Sequence, residues 1–173
     1  NLKADVNIYH MGLSFVLLPS YAISDVAARI GGYPTDGFST PYHIGYQLNA
    51  LLFIFLGLLY LRKLLRFFAS ETATVITLIL VALGANTYFI FNYQYDLPHL
   101  YLFTINVAAF YHLMRFVKEE RYKSFWFFAL LFGLAVCIRP TQLIFGLIPF
   151  LLLLKEFGKT RKFVRHMLTL GGA

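Results

Sequence analysis

The chain holds a single cysteine, Cys137, inside an apolar run, so neither a disulfide framework nor a cysteine-based metal cluster is available. Charge is scarce as well. Asp, Glu, Lys and Arg make up 13% of the residues against 59% hydrophobic and 18% aromatic, with a mean hydropathy of +0.66. A water-soluble domain of 173 residues needs more polar surface than this chain supplies. Acids are the scarcest charge, eight against fifteen Lys and Arg, for a net charge of +7. That excess does not build a nucleic-acid-binding face, because the basic residues lie between apolar runs rather than along one surface. The histidines His10, His43 and His99 lack the short spacing of a zinc site. No cofactor is therefore identified and no metal ligand set is assigned, although a divalent metal is not excluded. A cleavable signal peptide and an initiator methionine are both missing from the start, and Asn1-Leu2-Lys3 reads as an interior point of a longer chain.

What the chain has in abundance is lipid-soluble sequence. Ser124–Leu154 is about thirty residues of nearly pure apolar character, broken once by Arg139-Pro140-Thr141. A membrane helix needs roughly 20 apolar residues to cross about 30 Å of hydrocarbon, so this run is long for one helix and short for two. Pro140 lacks a backbone donor and disfavours helix at the residue before it, which places the break there. Lys123 and Lys155 flank the run, so both ends belong on one side of a membrane. The reading is a hairpin of two short helices whose apex carries Arg139.

Spans are also expected over 43–61, 72–91 and 97–116. Tyr9–Ile30 is apolar at first and then carries Pro19, Asp25 and Arg29, which reads as an interfacial helix rather than a span. Gly31–Tyr42 is turn chemistry throughout. The predicted fold is all-α: a non-cytoplasmic loop and juxtamembrane helix over 1–42, then a polytopic transmembrane helix bundle over 43–173 ending in a basic tail. Most of the Lys and Arg fall within 62–66, 115–123 and 155–165, which the positive-inside rule makes cytoplasmic. The opposite face collects Asp5, Asp25, Asp36 and Asp96, the three histidines and Arg139. Chemistry is expected on that face.

Arg139 is the first candidate. A mid-run arginine is a functional hypothesis by default, and its guanidinium fork fits a phosphate or carboxylate. The competing reading is an arginine that snorkels to headgroups or pairs with Asp96 or Asp36. Asp96 and His99 flank Pro98 at an outer turn, where they can line a polar pocket opposite Arg139 or merely start a helix. Asp36 and His43, with Ser39 and Tyr42, form a further candidate substrate-binding group, and Asp5 with His10 a weaker one. A transporter or flippase-like protein that binds an anionic substrate at Arg139 uses the same residues in another way.

Four stretches together resemble the GT-C type glycosyltransferases, specifically the bacterial branch related to aminoarabinose transferases and protein mannosyltransferases. YHMGLSFVLLP from Tyr9 is similar to that family's Tyr-Pro-x-Gly helix beside the membrane, and DGFSTPY from Asp36 to the entry of its second transmembrane helix. YDLPHLYLF from Tyr95 resembles its acidic or histidine-bearing turn, and GLAVCIRPTQLIFGLIPFLLLL from Gly133 its Gly-rich helix, basic-Pro break and following helix. The resemblance implies a polytopic protein of the bacterial inner membrane with its site facing the periplasm or cell exterior. It implies an inverting transfer of sugar from a polyprenyl-phosphate donor to a lipid or glycan acceptor. In the family a first-loop aspartate is the general base and basic side chains stabilise the departing phosphate. The position of that base falls upstream of Asn1, with Asp5 a poor match. Arg139, Asp96 and His99 are the positions that the family's pattern carries over.

Overall fold

A computed structural model describes residues 11–84 and 97–155. Among these the secondary structure is entirely helical. Helix α1 is Gly12–Gly31, α2 is Thr40–Leu65 and α3 is Glu71–Ile79, which runs into a π-helical turn at Leu80–Gly84. Helix α4 is Pro98–Glu119 and α5 is Tyr122–Ile138. A 3-10 turn at Pro140–Gly146 then leads into α6, Leu147–Lys155. Three of these helices, α1, α2 and α4, are long and apolar enough to cross a membrane.

Local chemistry explains most of the boundaries. Gly32 ends α1 in the left-handed region (φ 68°), and the amides of Gly32 and Tyr33 close back on the Ala28 and Arg29 carbonyls. In the following loop the Asp36 carboxylate accepts the amides of Phe38 (2.8 Å) and Ser39 (3.0 Å), while the Ser39 hydroxyl donates to the Pro34 carbonyl. Pro41 and Pro98 occupy first-turn positions, where a missing N–H costs nothing. Ser70 caps α3 by accepting the Ala73 amide. The turn signals predict a loop through Tyr42. Helix α2 instead begins at Thr40, and Tyr42 is fully buried in its first turn. The helices also outrun the predicted spans at their basic ends, where Arg115–Glu119 at i,i+4 carries α4 to Glu119. Of the span expected over 72–91, the part from 85 onward lies outside the described residues.

Packing is organised around α4, whose buried residues lie on several sides of the helix, from Leu100 and Tyr101 to Phe116 and Val117. Helix α2 runs parallel to α4, as Phe53 meets Tyr101 at one end and Lys118 donates to the Phe67 carbonyl at the other. Helix α5 runs antiparallel to α4: Phe125 packs on Phe116, and Ala135 and Ile138 share a core with Leu100, Leu102 and Ile105. Helix α1 is antiparallel to α2 and touches the α4–α5 pair only through its first turns, at Leu13, Val16 and Leu17. Glycine sets three of these crossings. Gly12 lies against the Cys137–Ile138 backbone, Gly45 against Ser24, and Gly57 against Thr104, each too close for a Cβ.

Two consequences bear on function. The outward faces of α1, α2, α5 and α6 are apolar, with Phe15, Ile23, Phe55, Leu130 and Leu151 all more than half exposed. The basic segments meet at one end of the bundle: Arg62, Lys63 and Arg66 beside Arg115 and Lys118, with Arg121 and Lys123 at the start of α5. The starts of α1 and α4 and the end of α5 form the opposite end.

Candidate functional site: an arginine at a helix break

Helix α5 ends because Pro140 has no N–H to give and restricts the residue before it. Arg139 accordingly leaves the helical region (φ −144°, ψ 114°), while its own amide still donates to the Ala135 carbonyl at 2.9 Å. The chain resumes as a 3-10 turn, tied to the break by the Gln142 amide on the Arg139 carbonyl (2.9 Å). The Gln142 side chain is buried and accepts a hydrogen bond from Asn106 of α4 at 2.9 Å. Asn106 Oδ1 is left buried with no partner. The break is thus pinned from one side by α4 and from another by Gly12 of α1, whose backbone lies on Cys137 and Ile138.

Arg139 itself is half-buried, and its guanidinium makes no hydrogen bond or ion pair among the described residues. Asp36, one of the carboxylates expected to neutralise it, is occupied in its own loop. There the Phe38 amide, with that of Ser39, holds the carboxyl below the ordinary carboxylate value. Asp96, the other, and Asp5 and His10 lie outside the described residues.

The remaining candidates fall into two places. His99, exposed in the first turn of α4, shares the Arg139 end of the bundle. His43, exposed on the first turn of α2, and Asp36 lie elsewhere. Phe53 is the α2 residue level with Tyr101, and His43 precedes it by ten residues, about 15 Å of helix. His43 and Asp36 therefore sit near the tip of the α1–α2 hairpin, separate from Arg139.

That hairpin carries polar contacts which the linear pattern does not announce. The buried Tyr42 hydroxyl donates to Asp25 at 2.6 Å, and Arg29 pairs with the other oxygen of Asp25 at 2.8 Å. The i,i+4 spacing of Asp25 and Arg29 was legible, but Tyr42 was not, because it comes from another helix. The Asn106–Gln142 pair is hidden in the sequence for the same reason. Among the described residues no three of His, Cys, Asp or Glu cluster as a metal site. No protein-family model, characterised protein or solved structure matches this chain.

Proposed function

We propose that the chain is part of a membrane glycosyltransferase. It moves a sugar from a polyprenyl-phosphate donor to a lipid or glycan acceptor on the non-cytoplasmic face, with Arg139 holding the departing phosphate. One observation carries the reading: an arginine at the broken end of an apolar helix, half-buried, with no protein anion against it among the described residues. A cation in such a place is costly unless an anion or water meets it. The Arg139 end is also opposite the basic end, which agrees with a non-cytoplasmic site under the positive-inside rule.

The chemistry follows from the charge that develops. An acceptor hydroxyl attacks the anomeric carbon, the bond from that carbon to the phosphate oxygen breaks, and the electron pair leaves with the lipid phosphate. The hydroxyl proton passes to a carboxylate base. Arg139 contributes most where the phosphate gains charge, because a fixed donor aimed at a developing anion needs no reorganisation during the step. His99 shares that end and in this reading meets a sugar hydroxyl, with Asp96, three residues before it, the partner inferred from the family resemblance.

The test is transfer of radiolabelled sugar from polyprenyl-phosphate donors in membranes carrying the intact parent protein. Arg139→Ala is expected to lower kcat/KM by roughly 10²-fold or more at normal insertion levels, with Arg139→Lys recovering part of the loss. Asp96→Asn is expected to lower it as well. A transporter reading draws on the interruptions at Leu80–Gly84 and Arg139–Gly146, since broken helices form the substrate sites of many transporters. Arg139-dependent uptake of an anion without any sugar transfer is the result that would move the assignment there.

A further inference from the structure

A second feature lies away from Arg139, toward the basic end. Helices α2, α4 and α5 enclose an open cavity of about 340 Å³, within the size range of ligand pockets. Phe53 and Leu56 line it from α2 and Ala108 from α4, and it is walled at its basic end by Tyr60, His112 and Phe127. The His112 ring stacks on Phe127 at 5.1 Å and meets the rings of Tyr111 at 5.2 Å and Tyr60 at 5.9 Å. Its Nδ1 is buried without a hydrogen-bond partner. A buried, unpaired ring nitrogen is unfavourable unless something supplies the missing bond.

One turn beyond Tyr60 comes Lys63. Its ammonium sits 5.3 Å from the Tyr60 ring centre and 5.9 Å from that of Tyr111. The other cations of α2, its C-cap and α4 already have oxygen partners. Arg62 and Arg66 share Glu71, Arg115 pairs with Glu119, and Lys118 donates to the Phe67 carbonyl. Among the described residues Lys63 has ring faces and no oxygen.

The geometry points to a binding site for an anionic phospholipid in this cavity. The sequence of surfaces is that of an amphiphile: a cation without a counter-anion, then the imidazole of His112, then an apolar trough running toward Phe53 and Leu131. The phosphate lies at Lys63, an oxygen of the glycerol–phosphate region meets His112, and one acyl chain fills the trough. Cationic pockets between membrane helices recognise lipid headgroups in this way. The site is independent of the glycosyltransferase reading.

Native mass spectrometry of the detergent-purified protein, titrated with phosphatidylglycerol or phosphatidylcholine, tests it. A retained phosphatidylglycerol adduct is expected, at least about fivefold tighter than phosphatidylcholine, which is the discrimination one membrane-surface lysine supplies. Lys63→Gln is expected to remove that preference, and Arg66→Gln, whose cation already pairs with Glu71, to leave it intact. Ala108→Phe fills the trough and is expected to expel the lipid. Should that variant not fold, His112→Phe keeps the ring packing, lacks both ring nitrogens and is expected to weaken the adduct. Equal binding of both lipids, or indifference to both Lys63→Gln and His112→Phe, overturns the proposal and leaves annular lipid only. Displacement of phosphatidylglycerol by millimolar inorganic phosphate, with phosphate bound in lipid-free detergent, overturns it in favour of a soluble anion.

Discussion

A methyl group added at Gly12 would land on the backbone of Cys137 and Ile138, which cannot move aside as a side-chain tip can. Gly12→Ala is therefore expected to destabilise the protein by about 1–3 kcal/mol, the usual range for overpacking. Gly133, inside α5, has open space where its Cβ would lie. Gly133→Ala is expected to stabilise by about 0.5–1 kcal/mol through helix propensity alone. Thermal unfolding in detergent, followed by circular dichroism, separates the two signs. Asp36 gives a pH-dependent counterpart. Its carboxyl is held below the ordinary value by the Phe38 and Ser39 amides, so its contribution is present above the unfolded-state pKa and is lost as pH falls through the folded one. The Phe38 amide resonance is expected to titrate with a midpoint below that of an ordinary aspartate. In Asp36→Asn, which keeps an acceptor oxygen but does not ionise, that titration is expected to vanish.

At the level of the elements, the break after α5 is the feature with most consequence. Pro140 holds Arg139 extended, and Asn106 and Gln142 fix the turn that follows. Pro140→Ala restores a backbone donor and removes the restriction on Arg139, which lets α5 continue and redirects the guanidinium. Under the proposed function, sugar transfer is expected to fall roughly tenfold or more while insertion stays normal, because small misplacements of a catalytic contact cost up to about 10²-fold. Transfer that is unchanged in Pro140→Ala would show that the position of Arg139 does not depend on the break. The α1–α2 hairpin depends on a different device, the hydrogen bond from Tyr42 to Asp25. Tyr42→Phe removes the donor and leaves Asp25 with Arg29 alone. Limited proteolysis in the loop at 32–39 is expected to speed up in that variant.

For the whole molecule, the two ends differ in charge, and that difference sets the expected orientation. In a Cys137→Ser background, Lys63→Cys and His99→Cys are expected to react with an impermeant thiol reagent from opposite sides of the membrane. Cys137 itself, exposed beside Arg139, is expected to react from the His99 side. The register of the hairpin adds a sharper expectation. Helix α1 begins level with the Arg139 end and runs away from the α4–α5 pair, so Asp36→Cys is expected to label from the same side as His99→Cys. Labelling of Asp36→Cys from the Lys63 side would mean that α2, which separates the two positions, does not cross the bilayer.

The linear sequence determined what depends on neighbours along the chain. Pro140 stops a helix wherever it stands, Pro98 starts one, a Gly-Gly pair ends another, and 59% hydrophobic content with little charge makes helices apolar enough to cross a membrane. Arg139 could be singled out for the same reason, since one charge in about thirty apolar residues needs no structure to be conspicuous. Partner choice was not legible there. Apolar helices resemble one another in hydropathy, and what distinguishes their contacts is shape: the missing side chains of Gly12, Gly45 and Gly57, and polar atoms such as Asn106 and Tyr42 that meet partners 36 and 17 residues away. Only the tertiary structure made α4 central, set His99 at the end that carries Arg139, and removed Asp36 and His43 to the hairpin tip. It alone brought Tyr60 and His112 into the wall of one cavity, with Lys63 over the Tyr60 and Tyr111 rings, because side chains from different helices become neighbours only when the backbones have packed.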